Sequence, residues 1–166
     1  DVEIGVNYVM IISTTAGLWA YNIGDTIQFT SIFPFRIVVS GRIKHFISAF
    51  GEHVIGKEVE EAIQNASNKH GVSISEFTVA PQIEPQEGLP YHEWFIEFLE
   101  RPGDMQAFSK SLDEALQQQN SYYLDLIKGQ VLKPLEIFEV ETNGFQQYMK
   151  SQGKLGGQNK LPRLAN

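Results

Sequence analysis

Apolar residues change their spacing several times between residues 43 and 166, and these changes limit the architectures that the chain can adopt. In "GKEVEEAIQNASNKHG" they recur at three- and four-residue intervals, which places them in one stripe on a helix: Val59, Ala62, Ile63 and Ala66. Gly71, the last residue of this segment, is typical of a residue that ends a helix. "VSISEFTVAP" and "YHEWFIEFLE" are strand patterns instead, and a turn rich in Pro, Gln, Glu and Gly at residues 81–90 joins them.

After these strand patterns, the sequence again changes between helical and strand spacing of apolar residues. "DMQAFSKSLDEALQQQ" has helical spacing with Asp104 as its expected N-cap, and a break near Asn120 precedes a further helix. "LEIFEVE" alternates as a strand, and "GFQQYMKSQG" is a short amphipathic helix. With "HFISAF" as a first short strand, the order from residue 43 is β, α, β, β, α, α, β, α and a tail. This order predicts the α+β class, with a small mixed sheet flanked by helices.

Residues 8–40 differ because they contain strand patterns only. "YVMIIST", "LWAY", "DTIQFT" and "FRIVVS" are separated by turn signals at residues 16–17, 22–25 and 34. Four strands with an apolar face on one side need cover, so we expect upstream chain to complete this sheet. The chain starts at Asp1 without an initiator methionine and enters a strand within a few residues. We therefore expect a piece of a longer protein, with a boundary between residues 41 and 42.

Composition excludes several classes of function. The net charge is −7, whereas proteins that bind DNA or RNA concentrate Lys and Arg, so we expect no nucleic-acid partner. With no cysteine, the chain has no disulfide, no thiolate nucleophile and no Cys-ligated zinc. The four histidines lie far apart, without the spacing of a helical metal site: His45, His53, His70 and His92. No apolar run approaches the length of a membrane span, and we expect a cytoplasmic protein without a membrane partner.

Three positions could carry chemistry. Asp25 follows Gly24 in "LWAYNIGD" and could accept hydrogen bonds from a sugar diol, or it could simply form an Asx turn at the start of a strand. Arg42 in "SGRIKHFISAFGEHV" offers a planar fork to phosphate or ribose oxygens, although surface arginines also form solvated ion pairs. Lys160 in "GGQNKLPRLAN" could reach a phosphate from a Gly-rich loop, or it could be a solvated lysine of a disordered tail.

Together and in this order, these motifs resemble the adenylate-forming superfamily. More closely, the chain resembles the C-terminal portion of the auxin-responsive-promoter family of acyl-acid amido synthetases, which conjugate carboxylic acids to amino acids. The matching segments are "GLWAYNIGD", "SGRIKHFISAFGEHV", "HEWFIEF" and "KLGGQNKLPRL". The resemblance covers nearly all 166 residues. The last segment is the most specific, because packing gives no obvious reason for its Gln-Asn-Lys-x-Pro-Arg string.

The resemblance implies a role for each matching residue. Asp25 would bind the ribose hydroxyls of ATP, Tyr21 would lie near the adenine or ribose, and Arg42 would contact ribose or phosphate. Lys44 falls at the position of the superfamily's hinge residue. Lys160 matches the tail lysine that approaches the α-phosphate during adenylation. ATP and Mg²⁺ are the implied cofactors, and a carboxylic acid and an amino acid are the implied reaction partners.

The chain also departs from the family pattern. Ala20 and Asn22 stand where the family has arginines in Gly-Leu-Tyr-Arg-Tyr-Arg-x-Gly-Asp, so contacts made by those arginines are not expected here. His53 falls close to a nucleotide-contacting lysine of plant members and is kept as a nucleotide-binding candidate, although a neutral imidazole lacks the full charge of lysine.

The resemblance also divides the chain into parts with different functions. Residues 1–41 would be the terminal strands of a large N-terminal domain, and residues 42–166 would be a mobile C-terminal domain that pivots over it. The tail would then depend on the large domain for its order, and the 166 residues alone would be inactive.

Two alternatives to amide formation remain. In the first, the acceptor is coenzyme A or another thiol, so that the enzyme forms a thioester. In the second, the chain is a non-catalytic interaction module on the same scaffold. The joint presence of Asp25, Arg42 and Lys160 favours an enzyme over the second alternative.

Overall fold

A computed structural model describes residues 2–42, 46–154 and 160–165, with only the backbone of residue 42. The chain forms two compact units, Asp1–Phe46 and Ile47–Asn166. The first unit contains an antiparallel sheet in the order β1-β2-β3, and its strands are β1 (Asn7–Ile12), β2 (Tyr21–Ile32) and β3 (Phe35–Arg42).

Two of the expected strands are one strand in the structure. Residues 18–20 of "LWAY" precede the sheet, and the expected turn at residues 22–25 lies inside β2. Val9 of β1 pairs with Thr26, and Ile11, two residues later, pairs with Asn22. Because these partners in β2 are four residues apart, the extra residues of β2 form a bulge. Gly24 has φ +82° within this bulge, a conformation that favours glycine. The glycine therefore marks a bulge and not a chain reversal.

Most apolar side chains of the first unit are exposed to solvent. Among its described residues, Ile27 is the buried apolar side chain, at 7% exposure. Several of the largest side chains are exposed: Ile11, Trp19, Phe33, Phe35 and Val39. Such a concentration of exposed apolar surface is typical of a surface that another segment or partner covers.

The second unit carries the remaining strands and helices. These are β4 (Phe46–Ile47, which starts at the unit boundary), β5 (Val54–Ile55), α1 (Gly56–His70), β6 (Ser73–Gln82), β7 (Tyr91–Glu100), α2 (Met105–Gln119), α3 (Ser121–Lys128), β8 (Glu136–Glu139) and α4 (Gly144–Ser151). β4 pairs with β5, and the main sheet has the order β6-β7-β8, with β6 antiparallel and β8 parallel to β7. The prediction of an α+β domain with a small mixed sheet and flanking helices is confirmed.

The helices follow from the signals in the sequence. The predicted stripe of α1 is buried, and Gly71 has the left-handed φ of +63° that ends the helix. Asp104 caps α2 by accepting a hydrogen bond from the Ala107 N–H at 3.0 Å. Asn120 separates α2 from α3, and its side chain caps α3. The core that these helices share with the sheet is dominated by large side chains without exposed surface: Trp94, Ile96, Phe108, Leu112, Leu116 and Tyr123.

The end of the tail is attached to the edge of β6. The Val79 N–H donates to the Arg163 carbonyl at 3.0 Å, and the Ala165 N–H donates to the Val79 carbonyl at 2.7 Å. Leu164, between these two tail residues, is 4% exposed and belongs to the core. Residues 163–165 are therefore held by contacts within the second unit, whereas residues 155–159 of the tail lie outside the described part of the chain.

Candidate active site

Asp25 and Arg42 lie opposite each other on neighbouring strands. They are direct partners in the antiparallel ladder of β2 and β3, and the side chain of Asp25 is half-buried. Tyr21 starts β2, four positions before Asp25, and is 53% exposed. The fold of this unit thus pairs two candidate nucleotide-binding residues, Asp25 and Arg42, and places the third, Tyr21, on the strand of Asp25.

The strands approach closely just beside this pair. Gly41 is the ladder partner of Thr26, and a Cβ atom at Gly41 would lie 3.3 Å from the Thr26 hydroxyl. The Ser40 hydroxyl donates to that same oxygen at 3.1 Å, and Ser40 is 7% exposed. The glycine of "SGR" therefore lets β3 lie close to β2 directly before Arg42.

His53 lies in the second unit, in the loop between β4 and β5. Its backbone has φ +49°, its side chain is exposed, and its ring meets the ring of Tyr122 edge to face at 6.3 Å between centroids. Lys44, the candidate hinge residue, lies outside the described residues. The structure thus gives His53 a solvent-accessible position.

A buried hydrogen bond between Glu52 and His92 fixes the residue before His53. The Glu52 Oε1 lies 3.0 Å from the His92 Nε2, and neither side chain has exposed surface. The other carboxylate oxygen of Glu52 accepts from the Phe50 N–H at 2.8 Å. Burial alone would raise the pKa of the Glu52 carboxyl, but these hydrogen bonds outweigh it, and the pKa lies below its ordinary value. The loop that carries His53 is therefore held from its inner side.

Lys160 lines a cleft of about 800 Å³ that is formed by α1, β6, β7, α4 and the tail. Its own side chain is exposed. The cleft is amphipathic, because Phe145, Met149 and Leu161 contribute apolar surface. Its charged lining residues are Glu60, Glu76, Glu97, Lys154, Lys160 and Arg163. The Lys160 side chain is therefore accessible in a cleft whose charged lining contains three carboxylates and three basic groups.

Two glutamates on the sheet within the cleft are direct cross-strand partners. Glu76 of β6 pairs with Glu97 of β7, an arrangement in which like charges repel. Glu97 is 6% exposed and accepts a hydrogen bond from the Asn143 N–H at 2.9 Å. Glu76 forms an ion pair with the Arg163 guanidinium. Each carboxylate thus has a compensating donor.

Arg163 makes further contacts around Glu76. Its Nε donates to the Glu60 carboxylate at 3.1 Å, and one terminal nitrogen donates to the Phe77 carbonyl at 3.2 Å. The guanidinium carbon lies 4.6 Å from the centre of the Phe77 ring, which itself stacks on Trp94. Burial lowers the pKa of Arg163, but the hydrogen bonds and charges of Glu76 and Glu60 outweigh this and raise it. Arg163 therefore remains a cation.

The sequence did not reveal this ion-pair group. Arg163 belongs to the matched tail motif, but its partners Glu60 and Glu76 precede it by 103 and 87 positions. No spacing rule connects residues so far apart. The sequence predicts both β6 and β7 but not the register in which they pair. It therefore does not show that Glu76 lies opposite Glu97.

A metal site is not evident in the described part of the chain. Within it, no group of three or more His, Asp or Glu side chains is arranged to hold an ion. The helices there are also too short or too polar to cross a membrane.

Comparisons with known proteins match both units. The model of the GH3 family C-terminal domain matches residues 57–166, and that of the GH3 family central domain matches residues 1–42. Indole-3-acetic acid-amido synthetase GH3.3 of Arabidopsis thaliana is 27% identical over the whole chain, which covers 30% of that protein. Probable indole-3-acetic acid-amido synthetase GH3.2 of Oryza sativa subsp. japonica is also 27% identical, with the same two coverages.

A solved structure has the same fold. The GH3.15 acyl acid amido synthetase superimposes with a TM-score of 0.75 at 21% identity, over 100% of this chain and 32% of that one. The chain therefore spans about a third of the length of these relatives.

Proposed function

Because the chain belongs to the GH3 family, we propose that it is the C-terminal part of an ATP-dependent acid–amino acid ligase. The whole enzyme would activate a carboxylic acid as an acyl-adenylate and transfer the acyl group to the amine of an amino acid. The observation that carries this proposal is the family match over residues 57–166, which includes the cleft and Lys160. The curated relatives, named as amido synthetases, support an amine as the acceptor.

In the first half-reaction, a carboxylate oxygen attacks the α-phosphorus of ATP, and the bond to the bridging oxygen breaks to release pyrophosphate. Negative charge develops on the phosphate oxygens, and the Lys160 ammonium stabilises it. In the second half-reaction, the amine attacks the acyl carbon, the bond from that carbon to AMP breaks, and the amine loses a proton. Lys160 has to withdraw before the amine enters, which is why a moving domain would carry it.

The other candidates would bind or position the nucleotide. Asp25 would accept hydrogen bonds from the ribose hydroxyls, with Arg42 on the adjoining strand directed to ribose or phosphate. Tyr21 would contact adenine or ribose, and His53 would lie near the nucleotide. Lys44 would be the hinge. Residues 1–41 would then end the large N-terminal domain, and residues 42–166 would form the mobile one.

The remaining parts of the proposal concern cofactors, partners and location. Mg²⁺ would accompany the ATP phosphates, and we assign no residue of this chain to it. An N-terminal domain would supply the acid-binding pocket, and the enzyme would act in the cytoplasm without nucleic-acid or membrane partners.

The test is acid-dependent ATP–pyrophosphate exchange by the full-length enzyme. Lys160→Ala should lower the kcat of exchange about 10²- to 10³-fold, the loss typical of one oxyanion donor. Lys110→Ala is a matched control, because Lys110 is a 79% exposed lysine on α2 that does not line the cleft. Wild-type exchange by Lys160→Ala would contradict the role of the tail lysine.

A screen of acceptors separates the alternatives. Amide products with amino acids support the proposal, and thioester products with coenzyme A would support the thiol alternative. If no carboxylic acid supports exchange in the full-length protein, the non-catalytic alternative is favoured.

A further inference from the structure

The tail is anchored only three positions after Lys160. Arg163 contacts Glu60 of α1, Glu76 of β6 and the Phe77 carbonyl at the same time. Its backbone carbonyl is bound by the Val79 N–H, and the next side chain, Leu164, is buried. Side chain and backbone of the same residue are therefore both attached to the second unit.

The connection from this anchor to Lys160 is short and partly rigid. Three residues span at most about 10 Å, and the proline ring at Pro162 fixes its φ. The Pro162 carbonyl also accepts a hydrogen bond from the Thr78 hydroxyl at 2.7 Å. The position of the Lys160 backbone is thus limited from its C-terminal side, although the lysine side chain itself is exposed.

Arg163 also offsets an electrostatic conflict beside the lysine. Without the guanidinium, Glu76 and Glu97 would face each other across the ladder with one fewer compensating donor. Glu60 would also lose its cation. Glu60 and Glu76 line the same cleft as Lys160. Without the Arg163 guanidinium, their carboxylates would attract the Lys160 ammonium and draw it away from a phosphate.

We propose that Arg163 is a positioning residue for Lys160 in the adenylation half-reaction. Its ion pairs with Glu60 and Glu76 hold the tail against β6 and occupy the carboxylates that would otherwise capture the lysine. This inference rests on the proposed function. Electrostatic stabilisation of a transition state requires that the charge is already in place, and a misplacement of about 1 Å costs up to about 10²-fold in rate.

The role predicts that the two half-reactions respond differently to a change at Arg163. In the full-length enzyme, Arg163→Gln should lower the kcat of ATP–pyrophosphate exchange about 10- to 100-fold, with the KM for ATP and acid nearly unchanged. Amide formation from a supplied acyl-adenylate should keep its wild-type rate, because Lys160 is withdrawn in that step. Arg163→Lys keeps the charge but loses the planar fork, so its exchange rate should lie between those of wild type and Arg163→Gln.

Control variants distinguish positioning from general stability. Arg101→Gln removes another arginine of the same unit, whose ion pair with Glu139 measures 2.8 Å and whose side chain is 65% exposed, and it should leave both half-reactions unchanged. Thr78→Val removes the hydrogen bond to the Pro162 carbonyl and should lower exchange in the same selective way as Arg163→Gln, by a smaller factor. Glu60→Gln combined with Glu76→Gln leaves Arg163 in place but removes the negative charges of both its ion pairs. This double variant should also lower exchange selectively, because the tail loses its anchor, and it provides the test if Arg163→Gln does not fold.

Each result decides between the roles. Wild-type exchange by Arg163→Gln or by the double Gln variant, or an equal loss in both half-reactions, would overturn the positioning role. If Lys160→Ala collapses exchange while Arg163→Gln does not, the proposed function stands and this inference fails. If Lys160→Ala itself keeps wild-type exchange, both fail.

Discussion

At the scale of single residues, the buried pair of Glu52 and His92 makes stability depend on pH. The pKa of the Glu52 carboxyl lies below its ordinary value of 4.5, so the unfolded chain binds a proton there more readily than the folded chain does. The stabilisation by Glu52 is therefore complete above about pH 4.5 and is lost as the pH falls through the lowered pKa. Two further polar residues lie beside this pair: Asn120 donates to the Glu52 carbonyl, and the ring of Tyr123 stacks on that of His92.

Replacement by glutamine tests this prediction. Glu52→Gln should lower the free energy of unfolding at pH 7 by about 2 kcal/mol, the usual loss for a hydrogen bond to a charged group. Urea denaturation from pH 7 to pH 3 should show the difference from wild type shrinking toward acidic pH. Glu141→Gln, at an exposed position, should change stability by less than about 0.5 kcal/mol. A difference that stays constant over the whole pH range would contradict the role of Glu52.

How much of the site can be predicted depends on how far apart its residues lie along the sequence. Asp25, Arg42 and Lys160 stand in local motifs, so the sequence shows them. The group around Arg163 depends on contacts with Glu60 and Glu76, which form only when α1, β6 and the tail pack together. Local spacing contains no information about such packing, which is why the sequence indicates the lysine but not its anchor.

At the scale of elements, the sequence predicts most of the second unit. Helical spacing, caps and the terminal glycine determine α1 and α2 locally, so their positions can be predicted without tertiary contacts. The sheet of the first unit was harder, because Gly24 and Asn22 are typical both of turns and of bulges. Only the pairing with β1 distinguishes the two, and pairing is a property of the folded sheet.

One residue between two helices should matter more than an ordinary cap. The Asn120 side chain accepts from the Tyr123 N–H at 2.8 Å and donates to the Glu52 carbonyl at 2.9 Å and to the Glu58 carboxylate at 3.0 Å. Asn120→Ala should therefore lower the free energy of unfolding by about 2 to 4 kcal/mol, because it removes a cap and also leaves buried groups without partners.

Asp104→Ala is the matched control for this prediction. Asp104 caps α2 by one hydrogen bond at an exposed position, so its loss should cost only about 1 kcal/mol. Urea denaturation of both variants measures the difference. If Asn120→Ala costs no more than Asp104→Ala, the contacts of Asn120 outside the helix contribute nothing measurable.

At the scale of the whole molecule, the two units differ in how much core each one has. The core cluster runs from Ile47 to Leu164 and lies in the second unit. The first unit has Ile27 as the buried apolar side chain among its described residues, and it exposes Trp19 and Phe33 at 88% and 96%. Burial of apolar side chains is the main favourable contribution to folding, so stability should be distributed very unequally between the units.

Separate expression of the units tests this inequality. Residues 47–166 should fold alone, with a cooperative urea transition and slowly exchanging amides in α1, α2, β6 and β7, because their core is complete within that segment. Residues 1–46 should show no cooperative transition, because a three-stranded sheet of this size with its apolar side chains in water is marginal. Circular dichroism and amide exchange measure both. A cooperative transition in residues 1–46 would contradict this prediction, because the sheet would then be stable without cover over its exposed apolar side chains.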